Sequence, residues 1–87
     1  MFYVYIVKTS NNQHYVGYTT DLRKRIKDHK SGKTKYLKDK LPIKLVYYEA
    51  YLTDNQARKR EIELKKNWSE KEKILNRIKK TAPSSSG

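Results

Sequence analysis

Residues 2–18 read FYVYIVKTSNNQHYVGY, and this stretch decides the fold of the chain. Residues 2–8 are dense in β-branched and aromatic side chains, which is typical of a strand. Residues 9–13 favour a turn, because Asn and Ser bond to their own backbone and Asn tolerates a positive φ. Residues 14–18 return to the strand pattern. The stretch therefore predicts an antiparallel hairpin.

Outward from the hairpin, capping residues and apolar spacing predict a third strand and three helices. Thr20-Asp21 would cap a first helix that ends near residue 30, where Ser31-Gly32 stops it. The remaining elements are a strand over residues 43–52, a helix capped by Thr53 that runs to about residue 66, and a last helix that opens at Ser69 and runs to about residue 80.

The predicted fold class is α+β, with a small three-stranded antiparallel sheet flanked by about three helices in the order β-β-α-β-α-α. A chain of 87 residues is short enough that one domain is the ceiling. We expect that domain over residues 1–80. Residues 81–87 contain no core residue, and we expect a disordered tail there.

The charge of the chain is strongly positive. It carries 21 Lys and Arg against 9 Asp and Glu, a formal net charge of +12. Residues 22–44 hold ten of these cations against two Asp, a local balance of +8. A field of one sign over so small a body favours a phosphate backbone as partner. A solvated Lys-rich face is the simpler alternative.

Composition also excludes several classes of protein. The chain has no cysteine, which excludes a disulfide framework, a thiolate zinc site and a cysteine nucleophile. Its apolar runs are far shorter than the roughly 20 residues of a membrane span. The N-terminus lacks the basic region and cleavage site of a signal peptide. We therefore expect a cytoplasmic protein without a membrane partner.

A carboxylate interrupts the apolar stripe of the helix after Thr53. Ala57, Leu64 and Trp68 share one face by spacing, and Glu61 falls among them. A carboxylate that loses water there needs a cation, either Arg, Lys or a metal ion. Two interpretations stay open: Glu61 lies at the edge of the stripe and reaches solvent, or it is a ligand of a hard metal ion such as Mg²⁺.

The first helix places two polar residues beside its Leu22/Ile26 stripe. Arg25 and His29 are four residues apart and would project together toward one end of the sheet. The planar guanidinium of Arg suits a scissile phosphate, and His29 could act as a base or phosphate donor at neutral pH. The simpler interpretation is that both are ordinary surface or packing residues.

Tyrosine is unusually frequent, with eight in the chain. We expect most of them to contribute apolar bodies to the core and to keep their hydroxyl groups wet. A phenol with a pKa near 10 is a poor base unless a metal ion or Arg lowers that value. Gly17 lies inside the second strand, where glycine permits the close approach of a backbone or ligand.

These residues together resemble the GIY-YIG nuclease domain family, in particular its small standalone branch. They are also similar to the nuclease domain of the excision-repair endonuclease C subunit. The two half-motifs are Tyr3-Val4-Tyr5 and Tyr15-Val16-Gly17. The likeness covers residues 2–78, and it includes residues 15–25 (YVGYTTDLRKR), Ser31-Gly32-Lys33, Lys35-Tyr36 and residues 45–48 (LVYY). One departure is Tyr3, which stands where the family name places glycine.

The resemblance implies a role for each candidate catalytic residue. Glu61 would hold one divalent ion, Mg²⁺ or Mn²⁺, and Arg25 would clamp the scissile phosphate. Tyr15 would deprotonate or orient the attacking water, with Tyr5 supporting the phosphate or sharing that task. His29 would lie close to the nucleophile. These groups are also the ones that interrupt the apolar pattern, and together they meet the needs of metal-assisted hydrolysis.

Two further expectations follow from the resemblance. The family has a late asparagine, for which Asn76 and, less well, Asn67 are candidates by spacing. The basic segment would be the DNA track, formed by Lys24, Lys30, Lys33, Lys35, Tyr36, Lys38 and Lys40. Phosphate contacts position a nucleic acid without reading its sequence, and we see no separate module that would choose a site.

The sequence thus predicts a monomeric, metal-dependent endonuclease that cleaves DNA, including branched or flap DNA, in repair or processing. The alternative is a non-catalytic nucleic-acid-binding module on the same fold, since a fold does not fix a function. A third interpretation is a basic accessory protein that binds structured RNA or a protein partner.

Overall fold

A computed structural model describes the backbone of residues 1–86 and the side chains of residues 1–67 and 69–78. The strands are β1 (Phe2–Lys8), β2 (His14–Thr19) and β3 (Lys44–Tyr51), and the helices are α1 (Leu22–Lys30), α2 (Asp54–Lys66) and α3 (Trp68–Ser86). A single 3₁₀ turn, Lys38–Lys40, lies in the loop before β3. The predicted element order and α+β class are confirmed.

The three strands form one antiparallel sheet in the order β2-β1-β3. β1 is central, and its Tyr5 pairs with Gly17 of β2 on one side and with Tyr48 of β3 on the other. The turn before β2 contains Asn12 at a φ of 64°, which agrees with the role predicted for Asn in this segment. β2 and β3 are therefore the two edge strands, and the pairing of β1 with β3 joins the more distant parts of the chain.

Side chains of β1 alternate between two small cores, one on each face of the sheet. Val4 and Ile6 pack with Ala57 and Leu64 of α2 and with Ile74 of α3. The opposite face carries the second core, formed by Tyr5, Val7, Leu37 and Ile43 with Leu22 and Ile26 of α1 packed against it. The period-two pattern of the first strand thus buries both of its faces.

Helix caps follow the sequence at two of three positions. The Asp21 side chain accepts a hydrogen bond from the Lys24 backbone N–H at 3.1 Å and caps α1. Thr53 caps α2 through the Gln56 backbone N–H at 3.2 Å. The prediction that Ser69 opens the last helix is wrong, because the Asn67 side chain accepts from the Ser69 backbone N–H at 3.1 Å and α3 begins at Trp68.

The early start of α3 removes Trp68 from the predicted stripe of α2, which ends at Lys66. At its other end, α3 has helical backbone through Ser86, beyond the predicted end near residue 80. The division into a domain over residues 1–80 and a tail over 81–87 stays a prediction, and Gly87 lies outside the described residues. No helix in the described part of the chain is long and apolar enough to cross a membrane.

A half-buried ion-pair network joins β3 to the helices on one face of the sheet. Glu49 accepts hydrogen bonds from Arg60 of α2 at 3.0 Å and from the Tyr47 hydroxyl at 2.6 Å, and it also accepts from the Tyr51 hydroxyl. Arg60 in addition lies 3.5 Å from Glu70 of α3. Burial alone raises the pKa of Glu49, but these donors outweigh it and hold that pKa below its usual value.

We expect Arg60→Met to lower the free energy of unfolding by about 1–2 kcal/mol at pH 7, because it leaves a half-buried carboxylate without its cation. The difference from wild type should narrow as the pH falls through the acid range, since a carboxyl with a lowered native pKa loses its contribution on protonation. Urea unfolding followed by circular dichroism measures both effects. Lys59→Met on the same helix is the control, and equal stabilities for the two variants would contradict the network's role.

Candidate nuclease site

A buried tyrosine–histidine pair lies at the centre of the candidate site. Tyr5 of β1 and His29 of α1 are both 0% exposed. The Tyr5 hydroxyl lies 2.7 Å from Nε2 of His29, and Nδ1 of His29 is hydrogen-bonded to Oγ1 of Thr34. His29 is therefore fixed at both ring nitrogens, between a strand and a loop.

Electrostatics keep both members of this pair uncharged near neutral pH. Burial raises the pKa of Tyr5 to about 12, although the neighbouring Arg25 acts in the opposite direction. Burial and then the positive charge of Arg25 lower the pKa of His29. The pair is thus a neutral hydrogen bond, in which the imidazole tautomer decides which partner donates.

Gly17 makes room for the Tyr5 ring. A Cβ atom at position 17 would lie 2.3 Å from both Cζ and the hydroxyl oxygen of Tyr5. No side chain tolerates such a contact, and the obstacle is an aromatic ring packed in a core. The close approach predicted for this glycine is therefore made by a side chain of the neighbouring strand.

Two more aromatic rings extend the site toward solvent. The Tyr15 ring meets His29 edge-to-face at 5.9 Å and lies 5.4 Å from the Tyr36 ring. Tyr36 is 59% exposed and carries the Lys40 ammonium 3.8 Å from its ring centre. The basic loop thus reaches the candidate site through an aromatic stack.

Arg25 and Glu61 approach this cluster from two different helices. Arg25 is exposed on α1 and lies near enough to Tyr5 to lower the pKa of its hydroxyl, whereas the charge of Glu61 on α2 raises that pKa. The Glu61 side chain is 20% exposed and pairs with Lys65 at 3.1 Å. The helices pack on opposite faces of the sheet, so the two charges act on Tyr5 from different sides of it.

The structure supports parts of both interpretations of Glu61. The carboxylate is neither in open solvent nor inside the core, since it lies at the edge of the stripe with a lysine as its cation. The described side chains contain no group of three or more His, Cys, Asp or Glu that could hold a metal ion. One half-buried carboxylate still fits Mg²⁺ or Mn²⁺, because such ions keep several waters and bind one or two carboxylates plus phosphate.

Sequence reasoning missed Lys65 and Thr34 at this site. Lys65 pairs with Glu61, and its ammonium lies 5.9 Å from the Tyr15 ring centre. The four-residue spacing from Glu61 is a signal that could have identified it. Thr34 had no such signal, because a loop residue's contact with a helix depends on how the loop folds back.

The lysines of the predicted DNA track are mostly on the surface. Lys24 and Lys33 lie 3.6 and 3.7 Å from the Asp28 carboxylate, and their side chains are 73% and 74% exposed. Of the others, Lys30, Lys35 and Lys38 are exposed, whereas Lys40 is half-buried against Tyr36. Of the two candidates for the late asparagine, Asn67 caps α3 and Asn76 is exposed on that helix.

The fold and these residues define a small domain of the GIY-YIG type. A family model described as the GIY-YIG catalytic domain matches residues 1–76. The chain therefore belongs to the GIY-YIG family, whose domains are generally of the nuclease type.

Similar proteins carry the name UPF0213. UPF0213 protein HQ_3675A of Haloquadratum walsbyi is 40% identical over 74 residues, 84% of this chain and 83% of the relative. UPF0213 protein SH2523 of Staphylococcus haemolyticus is 47% identical over 64 residues, 72% of this chain and 78% of the relative. The solution NMR structure of UPF0213 protein BH0048 from Bacillus halodurans is 38% identical, covers 87% of this chain and 84% of its own, and has a TM-score of 0.57.

We expect Gly17→Ala to destabilise the protein by about 1–3 kcal/mol, the usual cost of overpacking a core. The physical reason is the overlap between the new methyl group and the Tyr5 ring. Urea unfolding of a double-mutant cycle with Tyr5→Leu measures the coupling. The alanine should cost much less in the Tyr5→Leu background, and equal costs in the two backgrounds would contradict the proposed overlap.

We expect the His29 imidazole to titrate below the ordinary His value of 6.5. Since the unfolded state then binds the proton more tightly, the folded protein should lose stability as the pH falls below that value. An NMR titration in the His14→Gln variant, where His29 is the remaining histidine, measures the pKa. A value above 6.5 would contradict the buried neutral pair.

Proposed function

We propose that the protein is a metal-dependent endonuclease that hydrolyses phosphodiester bonds in DNA, in repair or processing. The observation that supports this proposal is the buried Tyr5–His29 hydrogen bond, with the Tyr15 ring packed edge-to-face on His29 and the charges of Arg25 and Glu61 both acting on Tyr5. A cation for the phosphate, a carboxylate for a metal ion and a phenol for water are thereby grouped around one pair of residues.

Arg25 is the group that binds the scissile phosphate in this proposal. Its guanidinium is exposed, and two of its N–H groups can bond to two phosphate oxygens. The same charge offsets the negative charge that grows on phosphate oxygen atoms as the bond to the leaving oxygen breaks.

We assign water activation to Tyr15 rather than Tyr5. Tyr5 is fully buried with a pKa of about 12, so it stays protonated at pH 7 and is a positioning residue. Tyr15 is half-buried beside the exposed Tyr36, where water can enter. Its hydroxyl orients the attacking water by accepting a hydrogen bond from it, while His29 packs edge-to-face against the Tyr15 ring.

Glu61 is the residue that would hold one divalent ion, Mg²⁺ or Mn²⁺. When bound, such an ion supplies Lewis-acid polarisation of the phosphate. The exposed lysines of the loop and Tyr36 then position the DNA backbone and a base without reading sequence.

We expect Glu61→Gln and Arg25→Ala each to reduce cleavage by about a hundredfold or more, because each removes charge stabilisation that the transition state needs. The assay is cleavage of labelled duplex, flap, branched and single-stranded DNA with Mg²⁺, Mn²⁺ or a chelator. Lys59→Ala, on α2 and away from the site, is the matched control and should cleave like wild type. Wild-type rates in both site variants would refute the endonuclease.

A non-catalytic nucleic-acid-binding module is the second candidate function. It is favoured by the pairing of Glu61 with Lys65, which already satisfies the carboxylate without a metal ion. Its signature in the same assay is DNA that is retarded but uncut, with an affinity that falls steeply with salt.

A further inference from the structure

A groove of about 700 Å³ lies between α1 and the β3 side of the sheet. None of the five proposed catalytic residues lines it. α1 separates the two places, since Arg25 and His29 lie toward β2 whereas the groove lies toward β3. Thr20 and Asp21, just before α1, line both this groove and the small cleft at Arg25. A nucleic-acid strand that leaves the candidate site and passes over the start of α1 would therefore enter the groove.

The floor of the groove is aromatic and apolar. The Tyr3 and Tyr48 rings meet edge-to-face at 6.2 Å, and Leu45 and Ile26 lie beside them. Tyr48 is 54% exposed although it is the strand partner of the fully buried Tyr5. An exposed ring on an apolar floor is the surface on which an unpaired nucleobase stacks.

The rim of the groove is basic. Arg23, Lys27 and Lys30 follow one another at spacings of four and three residues, which aligns them along one side of α1. None of them lies within ion-pair distance of a carboxylate among the described residues. The single carboxylate of the groove, Asp21, is engaged in capping α1 at 3.1 Å. The three cations therefore give this side of the groove a row of positive charges, which suits a ligand with several negative charges along its length.

We propose that this groove binds a single-stranded segment of DNA, with a base stacked on Tyr48 and Tyr3 and the phosphates along Arg23, Lys27 and Lys30. Duplex DNA is disfavoured as the occupant because its bases are stacked inside the helix and cannot reach the tyrosine pair. The groove goes beyond the proposed cleavage chemistry and needs only that the protein binds nucleic acid.

The test is binding of a short labelled oligo(dT) strand, measured by fluorescence polarisation with a chelator present so that no cleavage occurs. Tyr48→Ala should weaken binding about tenfold, as expected for the loss of one base–aromatic stack, and Tyr48→Phe should stay close to wild type. Leu52→Ala removes a more exposed apolar side chain outside the groove and is the matched control. Equal affinities for Tyr48→Ala and Leu52→Ala would overturn the proposal.

The role of the basic rim is tested by the salt dependence of the affinity for the same oligo(dT) strand. Arg23→Ala/Lys27→Ala should reduce the slope of log affinity against log salt by about 1.4, from two lost phosphate contacts on a single strand. Lys8→Ala/Lys59→Ala removes the same charge elsewhere and should leave the slope unchanged. Equal slopes for the two double variants would overturn the rim assignment.

An NMR titration of the wild-type protein tests the same groove without any variant, and so it does not depend on whether Tyr48→Ala folds. On addition of oligo(dT) to the wild-type protein, backbone shifts should concentrate at Tyr3, Tyr48 and the first turns of α1. Shifts confined to the basic loop and β2 would overturn the groove, and so would tighter binding of oligo(rU) than of oligo(dT) at the same residues. Metal-dependent cleavage that persists in either case would leave the endonuclease proposal intact.

Discussion

The hydrogen bond between the Tyr5 hydroxyl and His29 is the constraint on which the arrangement of the site depends. It joins the central strand to α1 across 24 residues of sequence, and it is fully buried. The ring that makes it fits only because Gly17 has no side chain. His29 in turn contacts Tyr15 by its ring and Thr34 by its second nitrogen. One neutral pair thus positions the edge strand, the first helix and the start of the basic loop.

Charge is arranged around this neutral centre rather than in it. Arg25 and Glu61 come from helices on opposite faces of the sheet, and their charges change the pKa of Tyr5 in opposite directions. Keeping these two ions outside the core avoids the desolvation cost of burying them, and it leaves them accessible to a phosphate or a metal ion. The half-buried ion pair between Glu49 and Arg60 likewise joins β3 to α2 without placing either charge in the core. Among the side chains that the structure describes, a small core therefore coexists with many charges, and no buried side-chain nitrogen or oxygen lacks a hydrogen-bond partner.

The same α1 helix offers solvent two different surfaces. One side carries the proposed phosphate-binding Arg25, and the other carries the cations above the tyrosine-floored groove. In the two proposals, this single nine-residue helix would contact two parts of one nucleic acid. The basic loop adds a third surface through Tyr36 and Lys40, next to Tyr15.

The sequence by itself determined the hairpin, the element order and the family, because strand alternation, helix caps and the two half-motifs are signals that can be read along the chain. Only the tertiary structure decided that His29 is buried and bonded at both ring nitrogens, to Tyr5 of the central strand and to Thr34 of the loop. It alone also decided that Tyr3 and Tyr48 form the floor of a groove. These outcomes depend on how α1 and the loop fold back onto the sheet and on how β3 pairs with β1, and spacing along the chain does not show which elements come into contact.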